Sequence, residues 1–348
     1  MQNNHFINQP EDFRRFAFIK ASDGLNLIPQ AIEKDWWVTS VLRAIYSIEY
    51  ASDLQFKGGT SLSKCWDMIF RFSEDIDLAI NPNLLGFSDN LSKSQVSNRL
   101  RREGKNFICG RFTEDLKAAL NSTGIPVGSL QVSNNNNGIP TQDPIHIYIE
   151  YPSLFPEDTY IAPRIILEIT GRANKMALDE RAVNALVYDY LPKDFVVDKP
   201  VLVTTTQPRR TFIEKVCLLH EEFNKSHGEI RSKRMSRHLY DLYMMCGKGV
   251  DRLVLEDEEL FRQIIHHRFI YNRIDGVDYN TETPGRFAII PPGESLKQWE
   301  QDYRNTIAKM IYGAERPGFE AIIARIRKLN EDLNAMKWKE VPVFNPGR

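Results

Sequence analysis

Apolar residues recur at near-helical spacing through "IPQAIEKDWWVTSVLRAIYSI", at Ile28, Ile32, Trp36 and from Leu42 to Ile45. That is the period of one buried helix face, so residues 27–49 are predicted helical, as are residues 10–21. The pattern then changes. "LQFKGG" reads as a short strand stopped by Gly58 and Gly59, and "TSLSKCWDMIF" as a helix with Thr60 or Ser61 near its N-terminus, where such residues cap well. "DIDLAI" is the next strand, ended by "NPN". A long helical stretch over residues 88–123 follows, interrupted at Gly104 and Gly110. Two strands around an Asn/Gly-rich turn occupy residues 126–155, and "RIILEITGR" and "VLVTTT" are two more. Beyond about residue 208 every segment, from "RTFIEKVCLLHEEFN" to "FEAIIARIRKLNEDLNAM", carries helical periodicity. The predicted class is α/β (α+β): a mixed β-sheet flanked by helices over residues 1–207, then an all-helical part over residues 208–348.

Side chains on a strand alternate faces, so Asp75 and Asp77 point one way and Ile76 and Leu78 the other. Two carboxylates about 7 Å apart along one strand face repel each other. A cation between them relieves that, and Mg2+ suits the place because it takes one or two carboxylates plus substrate phosphates. Solvated acids at a strand end are the plainer alternative. Gly58 and Gly59, followed by Thr60 and Ser61, open a helix whose first N–H groups have no partner within it and whose dipole favours an anion. Fifteen residues separate Gly59 from Asp75, room for one helix and a return. A phosphate seat and a metal seat would then lie side by side.

A third acid stands in "RIILEITGR". Glu168 shares a face with Ile166 and Thr170, and burial of a lone carboxylate is costly unless it is paired or bound to metal. Arg164 and Arg172 are alternative partners for it, and Glu150 in "IHIYIEY" is a rival third acid. In the helical part, Lys215 lies at the edge of the apolar face of Phe212, Val216, Leu219 and Phe223, where a lysine stem packs on apolar surface while its head reaches further. Asp241 is the lone charge from Leu239 to Cys246. A helix apolar all round is buried, and a buried carboxylate needs a partner, with Arg237 or Lys215 as candidates. Arg71 could pair with Glu74 or meet phosphate. Two basic runs, "GEIRSKRMSRH" with Arg231, Lys233, Arg234 and Arg237, and "NRLRREGK", are either RNA-backbone contacts or solvated segments.

Charge narrows the partners. The formal net charge is −1, so no global field draws the chain onto nucleic acid or an anionic membrane, and any anion is met by a local patch. Cys65, Cys109, Cys217 and Cys246 lie far apart with no CxxC pair, which argues against a zinc site or disulfide framework and for reduced thiols in a cytoplasmic protein. The opening "MQNNHFINQPEDFRRF" has no apolar leader core, so no signal peptide is expected, and no apolar run approaches the ~20 residues of a membrane-spanning helix. A phosphohydrolase lacks its His-rich signature, since His266 and His267 form an isolated pair.

"KGGTSLSK" and "RFSEDIDL" together resemble the AbiEii/AbiGii-type nucleotidyltransferase toxins, within the polymerase-β-like nucleotidyltransferase fold. "IEKDWWVTSVLRAIY", "RTFIEKVCLLH" and "RHLYDLYMM" share the resemblance, which spans roughly residues 28–247. It implies that Asp75 and Asp77 hold Mg2+ (or Mn2+) on a nucleoside triphosphate. Glu168 would complete a second metal site or draw a proton from the acceptor. Gly58, Gly59, Thr60, Ser61 and Arg71 would face the nucleotide. Lys215 would contact the triphosphate, with Asp241 orienting it or the nucleotide, and the helical part would close over the cleft. The implied role is a toxin of a toxin–antitoxin or phage-defence system, regulated by a neighbouring antitoxin. It would transfer a nucleotide to an acceptor hydroxyl, first of all the 3′ end of tRNA. A protein hydroxyl modified in an AMPylation-like way, or a non-catalytic nucleotide-binding module, are the alternatives. Trp36, Trp37, Tyr240 and Tyr243 are candidates for stacking on the base.

Overall fold

The computed structural model describes residues 6–73, 75–88, 91, 94–125, 131–134, 138–156, 161–192, 195, 198–226, 228–313 and 315–344. The chain forms two compact units: residues 1–65 with 72–205, and residues 66–71 with 206–348.

The first unit opens with helices α1 (Glu11–Leu25) and α2 (Pro29–Ile45), then strand β1 (Leu54–Lys57), helix α3 (Gly58–Lys64) and strand β2 (Asp75–Ile80). A π-helical turn (Gln95–Leu100), α4 (Arg101–Phe107), a second π turn (Ile108–Phe112) and α5 (Thr113–Ser122) follow end to end. Strands β3 (Gln131–Asn134), β4 (Ile145–Glu150), β5 (Arg164–Thr170), β6 (Leu178–Val183) and β7 (Val201–Thr206) complete it. The sheet order is β3-β4-β5-β2-β1-β7-β6. It is mixed, with β2 parallel to β5 and β1 parallel to β7, while β1–β2, β3–β4 and β4–β5 are antiparallel.

Alternation explains the core. Phe56, Leu78, Ile169 and Ile145 are successive cross-strand partners, and they are buried together with Ile76, Ile80, Ile165, Leu167, Ile147 and Ile149. Trp36, Trp37, Val41 and Ile45 of α2 belong to the same core. The intervening residues of β2, β4 and β5 therefore share the opposite face.

Three expectations need correction here. The helix after β1 begins at Gly58 itself and ends at Lys64, so residues 65–70 leave it, and neither Thr60 nor Ser61 caps it. Gly104 and Gly110 do not interrupt the long helical run. Leu100, Ile108, Phe112 and Leu116 are all fully buried along it, and that packing outweighs the roughly 1 kcal/mol a helical glycine costs. Strand β6, "LDERAV", went unread because its pattern is charged, as befits the sheet's edge.

The second unit is helical: α6 (Pro208–Phe223), α7 (Arg237–Gly247), α8 (Val250–Leu255), α9 (Glu258–Tyr271), α10 (Ser295–Asp302), a π turn (Tyr303–Ile307), α11 (Ala308–Met310) and α12 (Phe319–Ala335). Phe212, Val216, Leu242, Phe261, Ile322 and Ile326 are buried in it. Residues 66–71 join this unit through an antiparallel bridge between Arg71 and Ile311 and a Tyr312 N–H donating to the Phe70 carbonyl at 2.8 Å. Cys217 and Cys246 are buried, Cys65 and Cys109 half-buried, and all four are free thiols. Among the described residues no helix is long and apolar enough to cross a membrane.

Glu282 is buried in this unit, and burial followed by the Glu221 charge pushes its carboxyl well above the ordinary carboxylate range. The folded state therefore keeps a proton that the unfolded chain releases, and stability falls as pH rises above about 4.3, the unfolded glutamate value. Glu282→Gln removes that term. Its melting temperature is expected to gain on wild type as pH rises from 5 to 8, read by thermal denaturation across that range. A constant difference would remove Glu282 as the cause.

Candidate active site

Four strands bring one row of side chains together. Lys57 on β1 is the Cα partner of Asp77 on β2, Asp77 of Glu168 on β5, and Glu168 of His146 on β4. Cross-strand partners point to the same face, so the row reads lysine, aspartate, glutamate, histidine, with Asp75 two residues before Asp77 on that same face. This is the face opposite the aliphatic core, which is why acids are tolerated on it. Glu168 is half-exposed, and its Oε2 lies 3.6 Å from His146 Nε2. The rival Glu150 ends β4 exposed, as the cross-strand partner of Arg164.

The glycine turn and the aspartates are one structure. Gly58 has φ +78°, the left-handed region that side chains disfavour. A Cβ there would also stand 1.8 Å from Asp77 Oδ2. The backbone at the start of α3 thus runs directly against the second aspartate, an approach open to glycine alone. Thr60 Oγ1 donates to the Asp75 carbonyl at 2.5 Å and can accept from the Ser73 hydroxyl at 2.9 Å, binding the helix start to the head of β2. Ser61 Oγ donates back to the Gly58 carbonyl at 3.0 Å. The other end of α3 is held by Lys64, whose Nζ pairs with buried Asp35 of α2. Asp35 also accepts the Leu186 N–H at 2.7 Å. Its neighbours Glu33 and Lys34 are buried too, Glu33 on Ser153 and the Leu154 N–H and Lys34 on the Ala162 carbonyl. "EKD" in the sequence was the visible signal for this brace: three charges inside an apolar helix require partners.

Among the described residues no three His, Cys, Asp or Glu side chains stand close enough to cage a metal ion unaided. The row nevertheless offers two aspartates on one strand face and a glutamate beside the second. Hard carboxylate oxygens suit Mg2+, which completes its shell from phosphate oxygens and water.

Sequence reasoning also passed over the ions that flank Glu168. Buried Asp143 pairs with Arg172 Nε at 2.7 Å and Arg101 Nε at 3.9 Å. Burial still raises the pKa of its carboxyl, with Arg172, Arg101 and Lys57 opposing that shift and Glu168 adding to it. Arg172 is thus the partner of Asp143 rather than of Glu168.

In the second unit, Asp241 is fully buried and its partner is Arg71, not Arg237. The Arg71 guanidinium donates Nε to Oδ1 at 2.7 Å and Nη2 to Oδ2 at 2.8 Å. Lys215 Nζ joins from α6 at 2.8 Å from Oδ2. Burial works against the Asp241 charge, but the two cations outweigh it and hold its carboxyl far below the ordinary range. Burial pulls the Lys215 pKa down while Asp241 opposes that. His238 Nδ1 is 3.5 Å from Lys215 Nζ, and burial with that ammonium keeps the imidazole neutral. Lys215 is buried, and Glu214 beside it pairs with Arg210 at 2.9 Å. Glu74 lies outside the described residues.

Trp36, Trp37 and Tyr240 are core residues and cannot stack on a base. Tyr243 lines a cavity of about 360 Å3 with Phe70, Met244, Gly247, Lys248, Glu315 and Arg325.

The protein-family model described as nucleotidyl transferase AbiEii toxin, type IV TA system, matches residues 40–325. No curated protein matches the chain. Among solved structures it is similar to MenT4, a nucleotidyltransferase toxin from Mycobacterium tuberculosis H37Rv, with a TM-score of 0.51 and 15% identity over 95% of this chain and 91% of that one. JHP933 from Helicobacter pylori matches at a TM-score of 0.35 and 13% identity, over 88% of this chain and 97% of that one. The likeness to MenT4 speaks to the fold, a mixed sheet with helices followed by a helical part, and the JHP933 match is too loose to argue from. The family match spans the glycine turn, the aspartate strand, Glu168, Lys215 and Asp241, and the chain belongs to the AbiEii family of nucleotidyltransferase toxins of type IV toxin–antitoxin systems.

Proposed function

We propose that this nucleotidyltransferase transfers a nucleoside monophosphate from an NTP to the 3′-terminal hydroxyl of tRNA, in the cytoplasm, as the toxin of a phage-defence system restrained by an antitoxin. The observation that carries the reading is the approach of Gly58 to Asp77, where a Cβ would stand 1.8 Å from the carboxylate. A backbone brought that close to an acid suits phosphate and metal bound side by side. Asp75 and Asp77 would hold Mg2+ (or Mn2+), with Glu168 as the third carboxylate. When bound, the ion supplies charge neutralisation on the phosphates.

The chain's own groups do the rest. The N–H groups from Gly58 to Ser61, in the first turn of α3, receive phosphate oxygens. Half-exposed Glu168 takes the proton from the acceptor hydroxyl. The hydroxyl oxygen bonds to the α-phosphorus, the bond from that phosphorus to the pyrophosphate oxygen breaks, and pyrophosphate leaves. Arg71 and Lys215 against the one carboxylate of Asp241 leave a buried excess of positive charge. That excess supports an anion-binding role for Lys215 within the second unit, with Arg71 and Asp241 holding it in place.

The test is label transfer from each α-32P-NTP with Mg2+, in the presence of total tRNA or of protein extract, with Asp75→Ala and Lys215→Ala as controls. Label on tRNA, lost in both variants, is expected. Label on protein alone would replace the tRNA reading with a protein-modifying one.

A further inference from the structure

We propose that Lys57 neutralises the charge that gathers on the leaving pyrophosphate, its ammonium meeting the phosphate oxygens beyond the bond that breaks. This rests on the nucleotidyl-transfer reading above and adds a residue to it, on the other side of Asp77 from Glu168.

The order of the row carries the inference. Lys57 is the last residue of β1 and the Cα partner of Asp77, and Asp77 is the Cα partner of Glu168. Phe56, just before Lys57, is buried in the core, so alternation turns the Lys57 side chain to the face that carries the acids. Paired strands lie about 4.8 Å apart, which sets Lys57 and Glu168 roughly 10 Å apart with Asp77 between them. Phosphoryl transfer keeps the attacking and leaving oxygens in line, on opposite sides of the phosphorus. With Glu168 taking the proton from the attacking hydroxyl, the far side of Asp77 is the leaving side, and Lys57 stands there.

The charge on Lys57 is available for this. Neighbouring cations of the first unit are committed elsewhere: Lys64 to Asp35, and Arg172 and Arg101 to Asp143. Lys34 and Lys105 donate to the carbonyls of Ala162 and Ile139. Half-buried Lys57 has no hydrogen bond or ion pair to its ammonium among the described residues. Its field nonetheless reaches Asp143. Burial raises the pKa of that carboxyl, Lys57 is one of the cations that oppose the shift, and Glu168 adds to it. Charges from both ends of the row therefore act on one buried group, as expected of side chains lying over the same stretch of sheet. In the transfer step the electron pair of the broken phosphorus–oxygen bond passes to the pyrophosphate oxygen. The new negative charge faces the ammonium, which keeps its proton.

Lys57→Met tests the assignment, because it keeps an unbranched stem and removes the charge. Its melting temperature is expected to match wild type. Label transfer should fall about 10²-fold, the cost of losing one group aimed at developing charge. Isothermal titration with magnesium pyrophosphate should show binding weakened about ten-fold, while each of the four nucleoside monophosphates binds as it does to wild type. Lys57→Arg should regain most of the pyrophosphate affinity. Lys117→Met, at the surface of α5, should change neither quantity. Equal weakening of pyrophosphate and monophosphates, wild-type pyrophosphate binding by Lys57→Met, an equal loss in Lys117→Met, or no pyrophosphate binding by wild type would each overturn the proposal. The titration needs no acceptor, so absence of label on tRNA with the pyrophosphate loss intact would sink the acceptor reading and leave Lys57 in its role.

Discussion

Asp241→Ala is expected to lower the stability of the second unit by about 3–5 kcal/mol, the range for removing one member of a buried ion pair. Two cations, Arg71 and Lys215, share that carboxylate, and neither is exposed. Without it they remain buried with their charges uncompensated. Arg71→Lys is expected to be destabilising as well, because an ammonium cannot reproduce the two-point guanidinium contact. The measurement is urea denaturation of both variants beside wild type. A loss under 1 kcal/mol for Asp241→Ala would mean the cations find other partners. The pH dependence has a defined sign. The folded Asp241 carboxyl lies far below its unfolded value of about 3.9, so on acidification the unfolded chain binds the proton first. Its contribution is fully present above that value and is lost as pH falls below it, a loss that Asp241→Ala should not show.

Asp77→Asn is expected to reduce nucleotide transfer by at least roughly 10³-fold while the protein stays folded, since it removes one charge from between Lys57 and Glu168 without changing shape. Gly58→Ala should reach a similar loss by a different route. Its Cβ would collide with Asp77 Oδ2, and its φ of +78° is strained for alanine. One of the two must move, so this variant should lose about 1–2 kcal/mol of stability along with activity. Steady-state transfer and thermal melts on both variants read the two effects. Asp77→Asn keeping a tenth of wild-type transfer would remove Asp77 from the site. Gly58→Ala with normal activity would uncouple the turn from the aspartates.

The strands and the face they offer were legible because strand periodicity is local. "DIDLAI" and "RIILEIT" each alternate, and that alone separates Asp75, Asp77 and Glu168 from the isoleucines. The same held for α7, where one charge among apolar neighbours announced that Asp241 is buried. What periodicity could not supply was the identity of distant partners. Arg71 lies 170 positions from Asp241, and its own neighbourhood suggested Glu74 or phosphate. Nor could composition separate a core tryptophan from a base-stacking one: Trp36 and Trp37 differ from surface aromatics only in which face of α2 meets the sheet.

The sequence by itself determined the order of strands and helices apart from the charged edge strand β6, the shared face of the two aspartates and the need of Asp241 for a cation, because each follows from spacing and burial within one element. Tertiary structure alone decided that residues 66–71 leave the first unit and carry Arg71 to Asp241, that Glu168 stands beside Asp77 in register, and that Gly58 must be glycine. Those depend on where separate segments of chain meet, and a local repeat holds no information about a contact made by the chain's return.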